Sequence, residues 1–254
     1  MSSPEPKELA VVVGGSGALG SAIVDALIAA GLRVVSVARS AGAPEKAGAG
    51  RADHVVPLMA DLACDEAIDA ISAAIDAPVA MVVHAPGVPV AGGVLDVPPS
   101  LLGEACNIKA GGFVRLVRAV DHRLREKSRL VAIGGHYGFE PTAYAATAGV
   151  ANAALANLVR QMSWAYGPRG ITAHLVAPGP ADTGRLHNVA AARAAREGKE
   201  VEEVLADMRA ESAIGAFVEP AQIGWAVRTL LAPEADALAG STLFLDAGRR
   251  RAIP

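Results

Sequence analysis

The chain has 254 residues, 52% apolar and 19% charged, with a formal net charge of −3 from 23 basic and 26 acidic side chains. That length suffices for the core of one α/β domain, and the composition excludes a disordered chain, which carries few apolar residues and a high net charge. The near-neutral balance excludes nucleic-acid binding by bulk positive charge, and no apolar run approaches the roughly 18 residues of a spanning helix. Cys64 and Cys106 are distant and form no C-x-x-C pair, so neither a disulfide framework nor a zinc site is expected. The histidines are scattered without metal-ligand spacing, so no metal is expected. Residues 1–8 (MSSPEPKE) lack a basic start followed by an apolar stretch, which predicts a cytoplasmic protein without a signal peptide or membrane segment.

In chain order, Leu9 to Val13 is a β-branched run ending in glycines and predicts a first strand. Ser21 to Ala30 has the apolar spacing of a buried helix closed by Gly31. Leu32 to Ala38 and His54 to Met59 predict two further strands, separated by a small, polar, Gly-rich loop over 40–53. Cys64 to Ile75 predicts a helix, Val79 to Val83 a strand, and Pro98 to Arg125 one long helix. Leu130 to Ile133 predicts a strand, Ala143 to Tyr166 a second long helix, and Ile171 to Val176 a strand. Pro220 to Leu231 and Thr242 to Leu245 complete the series as helix and strand. Parallel strands need helical crossovers, so this alternation predicts an α/β fold. The expected architecture is a single Rossmann-type doubly wound domain over 1–254, with a parallel sheet of about seven strands and helices on both faces. Residues 182–216 hold dense charge (Arg185, His187, Arg193, Arg196 and Glu197-Gly198-Lys199-Glu200) outside this rhythm, and predict a helical substrate lid over the ligand crevice. Arg249-Arg250-Arg251 reads as a solvated terminus or a subunit contact.

Gly14-Gly15-Ser16-Gly17-Ala18-Leu19-Gly20 joins the first strand to the first helix. Glycines there let the backbone turn tightly and approach a pyrophosphate, while the helix N-terminus offers free N–H groups and positive dipole. At the end of the second strand, a carboxylate would accept from a ribose 2′-hydroxyl, whereas an arginine accommodates a 2′-phosphate. The chain has Ala38-Arg39-Ser40 and no acid, which favours NADP(H) over NAD(H).

Further motifs follow in order. They are Ala60-Asp61-Leu62, His84-Ala85-Pro86-Gly87, Asn107-Ile108-Lys109, Gly167-Pro168-Arg169-Gly170-Ile171, Ala177-Pro178-Gly179-Pro180 with Thr183, and Phe244-Leu245-Asp246-Ala247-Gly248. With these residues the chain resembles the short-chain dehydrogenase/reductase family over essentially its whole length. The resemblance implies cofactor contacts at Gly14, Ser16, Gly17, Leu19, Gly20, Arg39, Asp61, Leu62, Ala85, Gly87, Pro178, Gly179 and Thr183. It also implies that Asn107 is the asparagine of the family's catalytic tetrad. Val13 stands where the family has threonine, and His84-Ala85-Pro86-Gly87 where it has N-N-A-G.

The family's serine and its Y-x-x-x-K pair are not matched. In register with Arg169-Gly170-Ile171, Gly135 stands at the serine, Ala148 at the tyrosine and Asn152 at the lysine; taking Tyr144 as the tyrosine instead puts Ala148 at the lysine. The resemblance implies a tyrosine that exchanges a proton with the substrate oxygen, a lysine that lowers its pKa and holds the ribose, and a serine that orients the carbonyl. A phenol otherwise titrates near pKa ~10, and losing a positioned proton donor costs about 10² to 10⁴ in rate. His136, Tyr137, Glu140 and Tyr144 cluster after the fifth strand and suggest a displaced acid, His136 or Tyr144, with Asn107 relaying. The other reading of this cluster is an oligomer interface or a helix cap. His84 reads as a hydrogen-bonded structural histidine.

Three functions are therefore expected as alternatives. The first is an NADP(H)-dependent oxidoreductase acting on a carbonyl or alcohol through a non-standard site. The second is a catalytically silent cofactor-binding subunit in a hetero-oligomer with an active homologue, and the third a non-redox enzyme using the same pocket. The partner is a small molecule, and the Ala- and Leu-rich long helices suggest a homodimer or homotetramer.

Overall fold

Five consecutive apolar residues, Leu9–Val13, form strand β1, and all five are buried. In the computed structural model, which describes residues 8–40, 53–88 and 92–251, this strand is an interior strand, third of seven in the sheet. Alternation sends Leu9, Val11 and Val13 into one apolar layer and Ala10 and Val12 into the other. Strands β2 (Arg33–Ala38), β3 (Val55–Met59), β4 (Val79–His84), β5 (Leu124–Ile133), β6 (Thr172–Pro178) and β7 (Thr242–Leu245) complete it. Their order is β3-β2-β1-β4-β5-β6-β7, and each adjacent pair is parallel. Chain order reverses between β1 and β4, which opens a crevice at the carboxyl ends of the strands.

Helices α1 (Ala18–Ala29) and α8 (Pro220–Thr229) cover one face through Ile23, Val24, Leu27, Ile223 and Val227. Helices α2 (Ala67–Ala73), α3 (Pro99–Cys106), α4 (Gly112–Val120) and α5 (Ala146–Tyr166) follow in the chain. Of these, α2, α4 and α5 cover the other face through Ile71, Phe113, Leu116, Val117, Leu155 and Val159. The expected doubly wound α/β sheet is thus the observed one. The Gly-rich loop expected at 40–53 falls almost wholly outside the described residues.

The long helix expected from Pro98 to Arg125 runs from Pro99 to Val120, with a π turn inside it, and ends before Arg125. Asn107–Gly111 is a π turn between α3 and α4. A Cβ on Gly112 would lie 2.8 Å from His84 Cε1, so glycine there lets the backbone pass close to the end of β4. After α4 a short 3-10 turn, Asp121–Arg123, leads into β5, which begins at Leu124 rather than Leu130. Leu116, Val120 and Leu124 keep helical spacing, so periodicity alone reads through the break. The early part of β5 is irregular: its register against β4 shifts between Leu124 and Arg129, and Lys127 takes a φ of 72°. Ser128 Oγ stabilises the bulge by accepting from Arg125 N (3.0 Å) and donating to Val79 O (2.6 Å).

The charged stretch after β6 folds into α6 (Gly184–Glu197) and α7 (Val201–Ala210). The pair has its own small core of Leu186, Ala190, Ala194, Val204, Leu205, Met208 and Phe217. No helix among the described residues is long and apolar enough to cross a membrane.

Candidate active site

The loop from β1 to α1 is built around contacts that only glycine allows. Gly14 has a φ of +81°, and a Cβ on it would lie 2.8 Å from Ala85 O. A Cβ on Gly20 would stand 2.0 Å from Gly14 O, so α1 can press against the turn only without a side chain there. Gly17 N donates to Gly14 O (3.0 Å), and Gly17 is the N-cap of α1. Ser16, Gly17 and Ala18 are exposed, and the first turn of α1 holds no acid. An uncapped helix start with exposed backbone donors fits a pyrophosphate, so the residues present suit a dinucleotide.

Arg39 follows β2, is exposed, and has no ion-pair partner among the described residues. Asp61 is exposed too, its Oδ1 accepting from Ala63 N at 3.0 Å. Leu62 is buried in the apolar layer beneath, and its carbonyl accepts from Arg115 Nη1 at 3.0 Å. Leu19 and Ala85 are half-buried and Gly87 is exposed, all at the same end of the sheet. Pro178 ends β6, and Gly179 passes so near β7 that a Cβ would lie 2.9 Å from Asp246 Cα. Thr183 caps α6, with its hydroxyl donating to Ala181 O at 3.3 Å.

The positions of the missing catalytic residues meet in space. A Cβ on Gly135 would lie 2.9 Å from Asn152 Nδ2, and one on Gly138 would lie 2.8 Å from the Asn152 carbonyl carbon. The loop after β5 is therefore pressed onto α5 where the asparagine sits. Asn152 and Ala148 are both buried, and Asn152 Oδ1 has no hydrogen-bond partner.

His136, Tyr137, Glu140 and Tyr144 line one cavity of about 220 Å³, together with Thr142, Glu211, Arg249 and Arg251. The Tyr137 and Tyr144 hydroxyls are 2.9 Å apart, with their rings edge to face. Burial, then the hydrogen bond shared with Tyr144, push the Tyr137 hydroxyl well above its usual range. His136 is enclosed: burial and the Arg249 charge bring its imidazole down to about 4, against a hydrogen bond to the Pro178 carbonyl. It is therefore a neutral wall of the cavity at pH 7. Arg249 is held by Glu211 and by Met208 O, and Arg251 N donates to Glu140 Oε1 at 2.8 Å. Arg249 and Arg251 thus form part of the cavity wall. The signal for them was their place directly after the last strand.

Asn107 is engaged elsewhere. Its Nδ2 donates to Ala63 O (2.8 Å), its Oδ1 accepts from Arg115 Nη1 (2.8 Å), and it is not among the residues lining the cavity. Its side chain anchors the π turn to the α2 side, and no relay to Tyr144 is seen. His84 is fully buried and donates from Nε2 to Ile108 O at 3.0 Å. Burial first, then the Lys109 charge, lower it to about 3. Lys109 had no sequence signal beyond its neighbourhood with Asn107, yet it is buried at the crevice with its ammonium 2.9 Å from Ile133 O.

A reversed strand order, a glycine-lined turn onto a helix N-terminus and a polar cavity at the same edge define a dinucleotide-binding α/β protein. A family model described as Enoyl-(Acyl carrier protein) reductase matches residues 14–250, and the chain belongs to that family within the short-chain dehydrogenases/reductases. The chain is 25% identical to the short-chain reductase protein NovJ of Streptomyces niveus over 261 residues, covering 96% of this chain and 94% of that protein. Its fold matches a short chain dehydrogenase family protein of Francisella tularensis with a TM-score of 0.86 at 17% identity, over 96% of this chain and 99% of the other. L-sorbose reductase of Gluconobacter frateurii, determined with NADPH and L-sorbose, matches with a TM-score of 0.85 at 19% identity, over 97% and 98%.

Proposed function

We propose that the protein is an NADP(H)-dependent oxidoreductase that interconverts a carbonyl and an alcohol through a relocated proton donor. The observation that carries this reading is the Tyr137–Tyr144 hydroxyl pair in a cavity walled by Arg249 and Arg251. The phosphate loop from Gly14 to Gly20 and the N-terminus of α1 hold the pyrophosphate, and Arg39 takes the 2′-phosphate. The bound cofactor supplies or accepts the hydride. In the reductive direction, the Tyr144 hydroxyl gives its proton to the carbonyl oxygen and takes one back from solvent, while the Tyr137 hydroxyl keeps its own proton and donates a hydrogen bond to the Tyr144 oxygen. The Arg249 guanidinium on the cavity wall stabilises the phenolate formed in between. Neutral His136 shapes the cavity, and the α6–α7 pair closes over it.

The test has two stages. Equilibrium titration with NADPH and NADH is expected to show tight binding of the first and weak binding of the second. A carbonyl panel is then read by NADPH consumption in wild type and in Y144F. A drop of about 10² to 10⁴ in kcat is the expected result, and full turnover in Y144F removes Tyr144 from the reaction.

A second reading rests on half-buried Gly135 and buried Ala148 and Asn152, which fill the family's catalytic positions with groups that move no proton. In it the chain binds cofactor as a silent subunit beside an active homologue. NADPH binding without turnover of any panel member, combined with co-purification of an intact relative, supports it over the first.

A further inference from the structure

The reductase reading leaves two cations without a task. Lys109 lies in the π turn between α3 and α4 and is only 6% exposed. Its ammonium donates to Ile133 O at 2.9 Å, at the last residue of β5. That places it at the carboxyl ends of the strands, beside the Gly134-Gly135 turn. An ammonium carries three donors, and this is its one hydrogen bond among the described residues.

Arg185, in the first turn of α6, reaches back over the loop that follows β4. Its Nη2 donates to Val88 O at 2.6 Å, and its Nη1 lies 3.1 Å from where a Cβ on Gly87 would be. The two cations feel one another: burial, then the Arg185 charge, bring the Lys109 ammonium down to about 8. No carboxylate among the described residues pairs with either of them. Lysine is almost never fully buried without a partner, because desolvating a charge is costly unless an opposite charge compensates it. A tie between the π turn and β5 needs only a neutral donor, so that role does not account for an ammonium. Lys109 at the end of β5 and Arg185 over the loop after the neighbouring β4 both have spare donors, and an anion at these strand ends would compensate them.

We infer that Lys109 and Arg185 together bind an anionic group of the substrate, a carboxylate or comparable small oxyanion, at the carboxyl ends of β4 and β5. The assignment of that anion to a substrate rests on the reductase reading, whereas the anion site itself does not. The signal of the pair is spread over two distant segments, a π turn within a helix and the start of α6, which only the fold joins.

The test is calorimetric titration of the full chain with malonate, with and without saturating NADPH, in wild type, K109M, R185M and R228M. Arg228 is an exposed arginine on α8, remote from the crevice in sequence, and serves as the charge control. Wild type and R228M are expected to bind malonate equally, NADPH to leave that binding in place, and K109M and R185M each to weaken it by about tenfold or more. R185M alters an exposed side chain, so its loss of binding is not a folding effect. Equal affinity in all of these proteins, or no saturable binding to wild type, overturns the inference. Displacement of malonate by NADPH also overturns it, because the cations then serve a cofactor phosphate. Malonate binding without NADPH binding upholds the anion site and removes the reductase reading alone.

Discussion

Gly135 and Asn152 face each other so closely that a Cβ on Gly135 would lie 2.9 Å from the asparagine amide nitrogen. Glycine at one position and asparagine at the other are thus one packing solution. The backbone of Gly135 is extended, so the restriction comes from the neighbour rather than from the dihedral.

G135S is therefore expected to destabilise the protein by about 1 kcal/mol through overpacking. N152A alone opens a small space and removes an unpaired buried oxygen, and G135S with N152A is expected to recover most of the loss. Denaturant unfolding of the single and double variants checks this coupling, and strictly additive effects would count against it.

The phosphate loop makes a sharper prediction. G20A would put a methyl group 2.0 Å from Gly14 O, so the turn and the start of α1 must move apart. NADPH affinity is expected to fall by at least about a hundredfold, with Tm lowered as well. R39A, in contrast, removes a charge-assisted contact from an exposed residue. It is expected to weaken NADPH binding about tenfold while leaving NADH binding and Tm unchanged. Fluorescence titration with both nucleotides separates the two effects.

Three histidines are buried in the neutral state, with His84 brought down to about 3 and His136 and His174 to about 4. His174 is fixed as such, with Nδ1 donating to Leu238 O (3.1 Å) and Nε2 facing Thr172 Oγ1 (2.7 Å). An unfolded histidine titrates near 6.5, so below that pH the unfolded chain binds more protons than the folded one. Stability is then fully present above about pH 7 and falls as pH drops from 6.5 toward 4, by up to about 1.4 kcal/mol per pH unit per histidine. Unfolding free energies at pH 7, 6 and 5 test the slope. H84Q keeps a donor for Ile108 O and is expected to make it shallower.

Lys109 contributes in the opposite sense to what its hydrogen bond suggests. Its pKa is depressed from 10.5 to about 8, so below pH 8 the folded chain bears the cost of a buried charge that the unfolded chain does not. K109M, without any anion added, is expected to raise Tm by a few degrees at pH 7, even though it frees the Ile133 carbonyl. The gain should shrink as pH rises from 8 toward 10.5, where the wild-type lysine folds neutral. Thermal melts across that range read the difference directly.

Much of this protein is legible without coordinates. Short, largely apolar runs such as Leu9–Val13 and Thr242–Leu245 have one stable use in a chain of alternating helices, and observed and expected strands share those bounds. Gly14, Gly17 and Gly20 announce a close backbone approach because glycine is costly anywhere it is not needed. The absence of the family's serine, tyrosine and lysine is equally plain, since it depends on residue identity alone. Helical spacing misled at Leu124, where Leu116 and Val120 extend the pattern into a strand whose bulge depends on Val79 and Gly170, far away in the chain.

Tertiary structure decided the rest, because charge and reach act through space. Which arginines wall the cavity, whether Asn107 faces it, and how near Asn152 comes to Gly135 follow from helices packed across a sheet, not from their separation in sequence. The same holds for Lys109 and Arg185. Each is an ordinary basic residue in its own segment, and the burial of Lys109 with a second cation near it leaves an uncompensated charge that calls for an anion.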